Sequence, residues 1–433
     1  MGIAGGPLII CAAMSGNLPL LDTTRRERLA VAGALPFAGN ARASDGAVPS
    51  VPAARALPDK SAFAATDTAY LDSGSQHPIS LGGKAAVERY LAMRTLDPAA
   101  AGYELNQPGV LQKFARLVNV DPDELVFVQS TTAGEQMVLR SLGMPESGGH
   151  IVTDTLHFFG SIPLYEEMAR QGMEVTWVAA RDGRIELEDM RRAVRPGTKL
   201  VALSLVSTVN GFQHDLKAVC DIAHEAGALV FADIIHAAGC VPIDLHASGI
   251  DFASTASYKW LLGDFGLGFL YVRRSVLPLL RRVHVGYSAI SSFQSHIYPM
   301  DPPGERVADY QFRNDAQGSF SLGTYSHTTV AQLHHSLDYL QELGVANIQA
   351  HAQTLVSMLK EELPRLGYTL LTPAESRTPL VACALADASR VLGPKLNAAK
   401  VKITTTANRF RISVSVFNDV RDIDRLLATL GRA

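Results

Sequence analysis

Between residues 104 and 274 the chain alternates short apolar runs with amphipathic helical segments, and few folds accommodate that alternation. A strand that is apolar on both faces must be covered on both, so repeated strand–helix units imply a mostly parallel sheet with helices on either side. The clearest unit passes from an apolar strand, 199–207, through a helix, 215–226, to a second strand, 228–233. Leu216, Val219, Cys220 and Ala223 recur at helical spacing and form that helix's buried face. Gly227 closes it as a C-terminal cap.

After residue 326 the texture changes. A long amphipathic helix, 328–343, leads into a second helical segment, 348–366, and then short strands such as 410–416 alternate with a helix, 422–430. This reads as a smaller α+β domain, joined by the segment 69–94. A chain of 433 residues exceeds the size at which one core keeps growing, so two domains are expected. The division is 68–103 with 326–433 for the small domain and 104–325 for the large one. Residues 44–67, rich in Ala, Pro and Ser, read as a linker.

Residues 1–43 read as an export signal. Thr24-Arg25-Arg26-Glu27-Arg28 precedes a short apolar run, 29–39, and then Ala41-Arg42-Ala43, a small-x-small cleavage pattern. This outlines a twin-arginine signal and a periplasmic location. Arg28 stands where such signals usually carry an apolar residue, which keeps a cytoplasmic location as the alternative. The run is too short, and interrupted by Pro36, to span a bilayer permanently. Met14 is a second candidate start of translation.

A net charge of −3 gives no basic surface on which to expect a nucleic acid. Four cysteines lie far apart without a CxxC pair, and no HExxH occurs, so no metal is expected.

Asp233 ends an apolar strand, and Ser257-Tyr258-Lys259 follows further along the alternation. Alone, each has a dull explanation: a strand-end Asp caps or faces solvent, and a Lys after an aromatic is solvated. In combination they match one cofactor. Pyridoxal phosphate requires an amine for an imine, an acid for its pyridine nitrogen, a cradle for its phosphate and a face for its ring. Lys259 offers the amine, given surroundings that lower its pKa. Asp233, at the carboxyl end of a strand where parallel sheets bind ligands, keeps the pyridine nitrogen protonated. Ser130-Thr131-Thr132 follows the strand 125–129 and opens a helix, whose N–H groups and dipole favour a dianion. A capping box of Thr132 with Glu135 accounts for the same residues and is compatible with that role. His157, just after the strand 151–153, is the candidate for the ring face.

The run Asp233-Ile234-Ile235-His236-Ala237-Ala238-Gly239, followed by Ser257-Tyr258-Lys259-Trp260-Leu261-Leu262-Gly263, resembles class V aminotransferases. This is the fold-type I group that contains cysteine desulfurases, kynureninases and isopenicillin N epimerase-like proteins. Tyr70-Leu71-Asp72-Ser73-Gly74, Gly323-Thr324 and Phe410-Arg411-Ile412-Ser413 extend the resemblance over 70–430. It implies an α/β, fold-type I PLP-dependent transferase: a large domain with a mostly parallel sheet and a smaller α+β domain. It implies Lys259 as the Schiff-base lysine, Asp233 as the pyridinium partner and His157 as the stacking ring. Thr131 and Thr132 fall in the phosphate loop, and Ser257 and Tyr258 at further phosphate contacts. His236 stands where many members hydrogen-bond the phenolic oxygen through a Gln, and adds a titratable group there. Thr208 stands where many relatives carry an Asn, with Asn210 close by, so that cofactor contact stays open between the two. Gly323 and Thr324 resemble the contact supplied by a partner subunit, which implies a homodimer. Arg411 resembles the arginine that clamps a substrate α-carboxylate. No cysteine occurs in 400–408, near where a desulfurase carries its persulfide-forming thiol, which disfavours standard desulfurase chemistry.

The expected activity is therefore PLP-dependent chemistry on a small amine or amino acid, with transamination first and β-elimination or epimerisation as alternatives. From another class, the competing reading is a non-catalytic PLP-binding module, although no DNA-binding segment of the kind such sensors carry is evident. The export signal is similar to that of exported class V proteins that tailor siderophore side chains.

Overall fold

The computed structural model describes residues 56–99 and 105–431; the twin-arginine pattern, its cleavage site and the first part of the linker, to residue 55, lie outside the described residues. Among those described, no helix is long and apolar enough to cross a membrane.

Seven strands form the main sheet: β1 (Leu125–Val128), β2 (His150–Asp154), β3 (Glu174–Val178), β4 (Thr198–Ser204), β5 (Leu229–Asp233), β6 (Phe252–Ala256) and β7 (Gly268–Val272), in the spatial order β1-β7-β6-β5-β4-β2-β3. β7 runs antiparallel to both neighbours, and the remaining pairs are parallel. Alternate residues of the central strands enter different cores. Val201, Leu203, Val230 and Ala232 face one side, while Leu200, Ala202 and Phe231 face the other. Both faces are thus covered, which is why these strands read as unbroken apolar runs. The helix after β4, α2 (Leu216–Glu225), is capped by the Asp215 carboxylate accepting from Ala218 N–H, and buries Leu216, Val219, Cys220 and Ala223. Gly227 adopts φ +76° just beyond its end.

A second sheet, four-stranded and antiparallel, contains β8 (Thr369–Leu370), β9 (Leu380–Ala384), β10 (Thr404–Thr405) and β11 (Arg409–Ser413), ordered β8-β9-β11-β10. Its core gathers Val381, Cys383, Phe410 and Ile412 with Leu355 and Leu359 of the helix Val345–Arg365, Ile423 and Leu426 of Val420–Leu430, and Leu71. Because strand side chains alternate, burying Phe410 and Ile412 turns Arg409, Arg411 and Ser413 to the opposite face. The helix α3 (His327–Leu343) packs differently from its neighbours in sequence: Val330, Leu333, Leu337, Leu340 and Leu343 belong to the larger core. Packing therefore passes from the larger core to the smaller one beyond residue 343 rather than at residue 326.

Candidate active site

The candidate residues of the large domain converge at the C-terminal edge of the parallel strands, where backbone carbonyls end and loops diverge. Asp233 is the last residue of β5, while Lys259 follows β6, His157 follows β2, Thr208 follows β4, and Ser130 with Thr131 follows β1.

Lys259 is buried, and its Nζ lies 3.0 Å from His236 Nε2. Burial lowers its pKa to about 8, with Asp233 opposing that effect and Arg411 adding to it. An amine of this kind is a far better nucleophile and base near neutrality than an exposed lysine. The loop carrying it is held from several sides. Leu262 adopts φ +57°, costly for a branched residue, and its carbonyl accepts from Gln332 Nε2 and Ser336 Oγ of α3, each at 2.8 Å. Gly239, at φ +97°, lies so close to the loop that a Cβ there would meet the Trp260 carbonyl oxygen at 2.4 Å.

Asp233 is buried, and burial pushes its pKa up to about 6 despite the Ile235 N–H donated to Oδ1 at 2.9 Å and the charges of His157 and Lys259. A buried carboxylate held above its ordinary range suits a protonated ring nitrogen as partner. Beside it runs a polar chain. Ser204 Oγ donates to Asp233 Oδ2 at 3.5 Å, accepts Phe158 N–H at 3.1 Å and lies 2.8 Å from His157 Nδ1. His157 Nε2 lies 3.1 Å from Glu135 Oε1, and Ser161 and Tyr165 hydroxyls donate to the same carboxylate at 2.7 Å each.

Glu135 thus has a role different from the one expected. The box of Thr132 with Glu135 does not form: Ser130 caps the helix α1 (Thr131–Ser141) by accepting Ala133 N–H at 3.1 Å, and Glu135 turns inward to His157. The Thr131 hydroxyl oxygen accepts Ala256 N–H at 3.0 Å, tying the helix start to the end of β6. At such a helix start the first N–H groups, those of Thr131 and Thr132, have no carbonyl one turn earlier to satisfy them, so this end suits a phosphate.

Two expected contacts are committed elsewhere. Asn210 donates its amide to the carbonyls of Gly183 and Leu371, at 2.7 and 3.2 Å, and accepts Phe212 N–H; it holds a turn rather than offering donors to a cofactor. Ser257 donates its hydroxyl to the carbonyls of Asp264 and Leu267, so its proton fastens the loop rather than serving a phosphate. The Tyr258 ring stacks on Phe265 with centroids 4.4 Å apart. Gly323 and Thr324 lie before α3, lining a cavity of about 480 Å³ with Gln129, Ala133 and Met137.

Arg411, carried by β11, reaches the large domain: one terminal nitrogen donates to the Thr208 carbonyl at 3.2 Å and to its hydroxyl. The other donates to Ser75 Oγ at 2.9 Å and Thr404 Oγ1 at 3.1 Å, and lies 3.8 Å from Asp72 Oδ1. Burial lowers the guanidinium's pKa to about 10 against the charge of Asp72. Its Nε is buried with no hydrogen-bond partner among the described residues. Sequence reasoning missed Glu135 as an ion-pair partner, and also Ser204, Gln332 and Thr404; the one available signal was an acidic residue a turn into the helix behind the phosphate loop.

A family model described as aminotransferase class-V matches residues 109–426. A probable cysteine desulfurase 2 of Mycobacterium leprae is 28% identical over 402 residues, covering 84% of this chain and 91% of the relative. Among solved structures, a cysteine desulfurase from Escherichia coli superposes with a TM-score of 0.74 at 18% identity, over 86% of this chain and 96% of that one. A cystine C–S lyase, solved in complex with its product cysteine persulfide, superposes with a TM-score of 0.74 at 20% identity, over 84% and 97%. The amine, acid and anion seat gathered at the strand ends fit the cofactor this family uses, and the chain belongs to the class V aminotransferase family of pyridoxal-phosphate-dependent enzymes, with its fold-type I architecture.

Proposed function

We propose that the protein is a carbon–sulfur β-lyase that releases sulfur from an amino acid without using a cysteine of its own. The observation that carries this reading is the content of the site: a lysine amine, a buried guanidinium and, among the described residues, no thiol; Cys11 lies outside them. Cys220, Cys240 and Cys383 are all buried in the cores. Burial pushes the thiols of Cys220 and Cys383 up to about 12 and raises that of Cys240 further from the thiolate. Attack on sulfur requires an accessible thiolate, whereas elimination requires only a base at Cα and a hold on the carboxylate. The names of the similar proteins, cysteine desulfurases and a cystine C–S lyase, favour cleavage beside sulfur over transfer of the amine.

Pyridoxal phosphate, when bound, supplies an electron sink conjugated to the substrate nitrogen. The N–H groups of Thr131 and Thr132 would hold its phosphate, Asp233 the proton on its ring nitrogen, and His157 and His236 its ring and phenolic oxygen. Arg411 takes the substrate carboxylate, with Thr208, Ser75 and Thr404 fixing the guanidinium plane. Lys259, largely neutral above about pH 8, accepts the Cα proton and retains it at Nζ for the departing sulfur.

The test is to incubate the purified, cofactor-loaded protein with cysteine and cystine, and separately with non-sulfur amino acids plus a keto-acid acceptor. Sulfide or persulfide released in step with pyruvate and ammonia, and retained when all the cysteines are replaced by Ser, is the expected result. Amino transfer or racemisation without sulfur release would assign transamination or epimerisation instead, and binding without turnover would leave a binding module.

Two further parts of the reading rest on sequence. We propose a homodimer in which Gly323 and Thr324 serve the partner's phosphate site; a monomer by sedimentation removes it. We also propose a periplasmic location, based on Arg25, Arg26 and the Ala41-Arg42-Ala43 pattern. A reporter fused after residue 50 and retained in the cytoplasm of a twin-arginine-competent host would refute that.

A further inference from the structure

We propose that Trp260 is a positioning residue that locks His236 in the tautomer protonated on Nε2, so that His236 always presents an N–H donor to the Lys259 nitrogen. Trp260 Nε1 lies 3.4 Å from His236 Nδ1, and Lys259 Nζ lies 3.0 Å from His236 Nε2. All three side chains are buried. An indole nitrogen can only donate, so Nδ1 must accept, and the single proton of a neutral imidazole is left on Nε2. The reverse tautomer would set two N–H groups against each other and leave the indole donor buried without a partner, which is costly.

The doubly protonated ring is also disfavoured. Burial lowers the His236 pKa well below its usual value, and the two cations that act on it, Lys259 and Arg411, lower it further. His236 is therefore held as a neutral donor, and the titration of the group expected at this position is moved well below the usual imidazole range.

The lock has a consequence at Lys259. A donor at Nε2 is satisfied by the lone pair of a neutral amine and conflicts with an ammonium, whose three hydrogens are all donors. Trp260 thus acts through His236 to favour the free base of Lys259. Without the indole, His236 can carry its proton on Nδ1 and accept from the ammonium through Nε2. Trp260→Phe keeps an aromatic ring in the space and removes the donor together with part of the indole's volume.

The inference depends on Lys259 as the cofactor lysine, and covalent capture of pyridoxal phosphate by the wild-type chain tests that assignment separately. The decisive measurement is the pH dependence of the rate at which the full-length apoenzyme captures pyridoxal phosphate. In wild type the rate rises as Lys259 deprotonates. In Trp260→Phe the midpoint moves upward by about 1 pH unit, a roughly tenfold smaller neutral fraction at a given pH below it. A midpoint unchanged to within about 0.3 unit, less than a twofold change, overturns the proposal. A second measurement needs no indole variant: selective 15N labelling of histidine in the wild-type apoenzyme, with the His236 signals assigned by their loss in His236→Gln. Protonated Nε2 and bare Nδ1 are expected, and a proton on Nδ1 overturns the proposal even if Trp260→Phe does not fold.

Discussion

His157 Nε2 sits 3.1 Å from Glu135 Oε1 with both side chains buried, an ion pair lying directly behind the candidate ring site. Burial alone would lower the pKa of His157, but the hydrogen bond and charge of Glu135 raise it. Burial alone would raise the pKa of Glu135, but His157, with Tyr165 and Ser161, lowers it. The signs fix a pH window. The histidine's contribution is complete below its unfolded value of 6.5 and fades as pH rises through the raised folded value. The glutamate's is complete above 4.5 and fades as pH falls through the lowered folded value. The pair therefore stabilises most between those two values. Glu135→Gln removes one charge of a buried pair and is expected to cost about 3–5 kcal/mol there. The difference in Tm from wild type should shrink on the alkaline side of the window, and a pH-independent difference would show that His157 is not the charged partner.

Lys259 is the proposed site of a covalent cofactor link, and among the described residues no other lysine combines burial with a neighbouring carboxylate at a strand end. Lys259→Ala is expected to bind pyridoxal phosphate without the covalent link: the visible absorbance of the linked cofactor disappears and dialysis strips the cofactor away. Turnover should fall by about 10²–10⁴-fold or more, the range for removing a general base. Borohydride reduction should fix the cofactor to wild type and not to the variant. A variant that retained a borohydride-fixed cofactor would move the link to another residue.

What could be read from the sequence was whatever depends on local pattern. β5 is apolar to its last residue, so Asp233 stood out as an acid at a strand end, and α2 displays its buried face at helical spacing. What could not be read depends on residues far apart in the chain. Glu135 looks like a cap from its own neighbourhood, and only the return of the chain after β2 brings His157 against it. Arg411 collects Ser75, Asp72 and Thr404 from two other parts of the chain, a convergence that no spacing rule reveals. The helix α3 shows an amphipathic pattern, but a pattern names a face and not the core that receives it, so its place with the large domain emerged only from packing. Asn210 and Ser257 show the opposite: they stand beside the site in sequence, and only the folded chain reveals that their polar groups are engaged by backbone.

Arg411 tests the substrate side of the site. Its guanidinium is fixed by hydroxyls and the Thr208 carbonyl, and Asp72 at 3.8 Å offsets its charge only in part, since no direct hydrogen bond joins the two. A carboxylate arriving at this group meets the partnerless Nε–H directly and reaches the terminal N–H groups only by displacing acceptors such as Ser75 Oγ and Thr404 Oγ1, and burial makes that charge-assisted contact worth more than at a surface. Arg411→Lys keeps the charge and loses the plane and two of the donor positions. KM for the amino acid should rise about 30-fold or more, equivalent to about 2 kcal/mol, with a smaller change in kcat. An amine lacking the α-carboxylate should lose little, because it never used the fork. Steady-state kinetics on the two substrates separates the outcomes: equal loss on both means that Arg411 holds the domains together, whereas loss confined to the carboxylate-bearing substrate identifies it as the clamp.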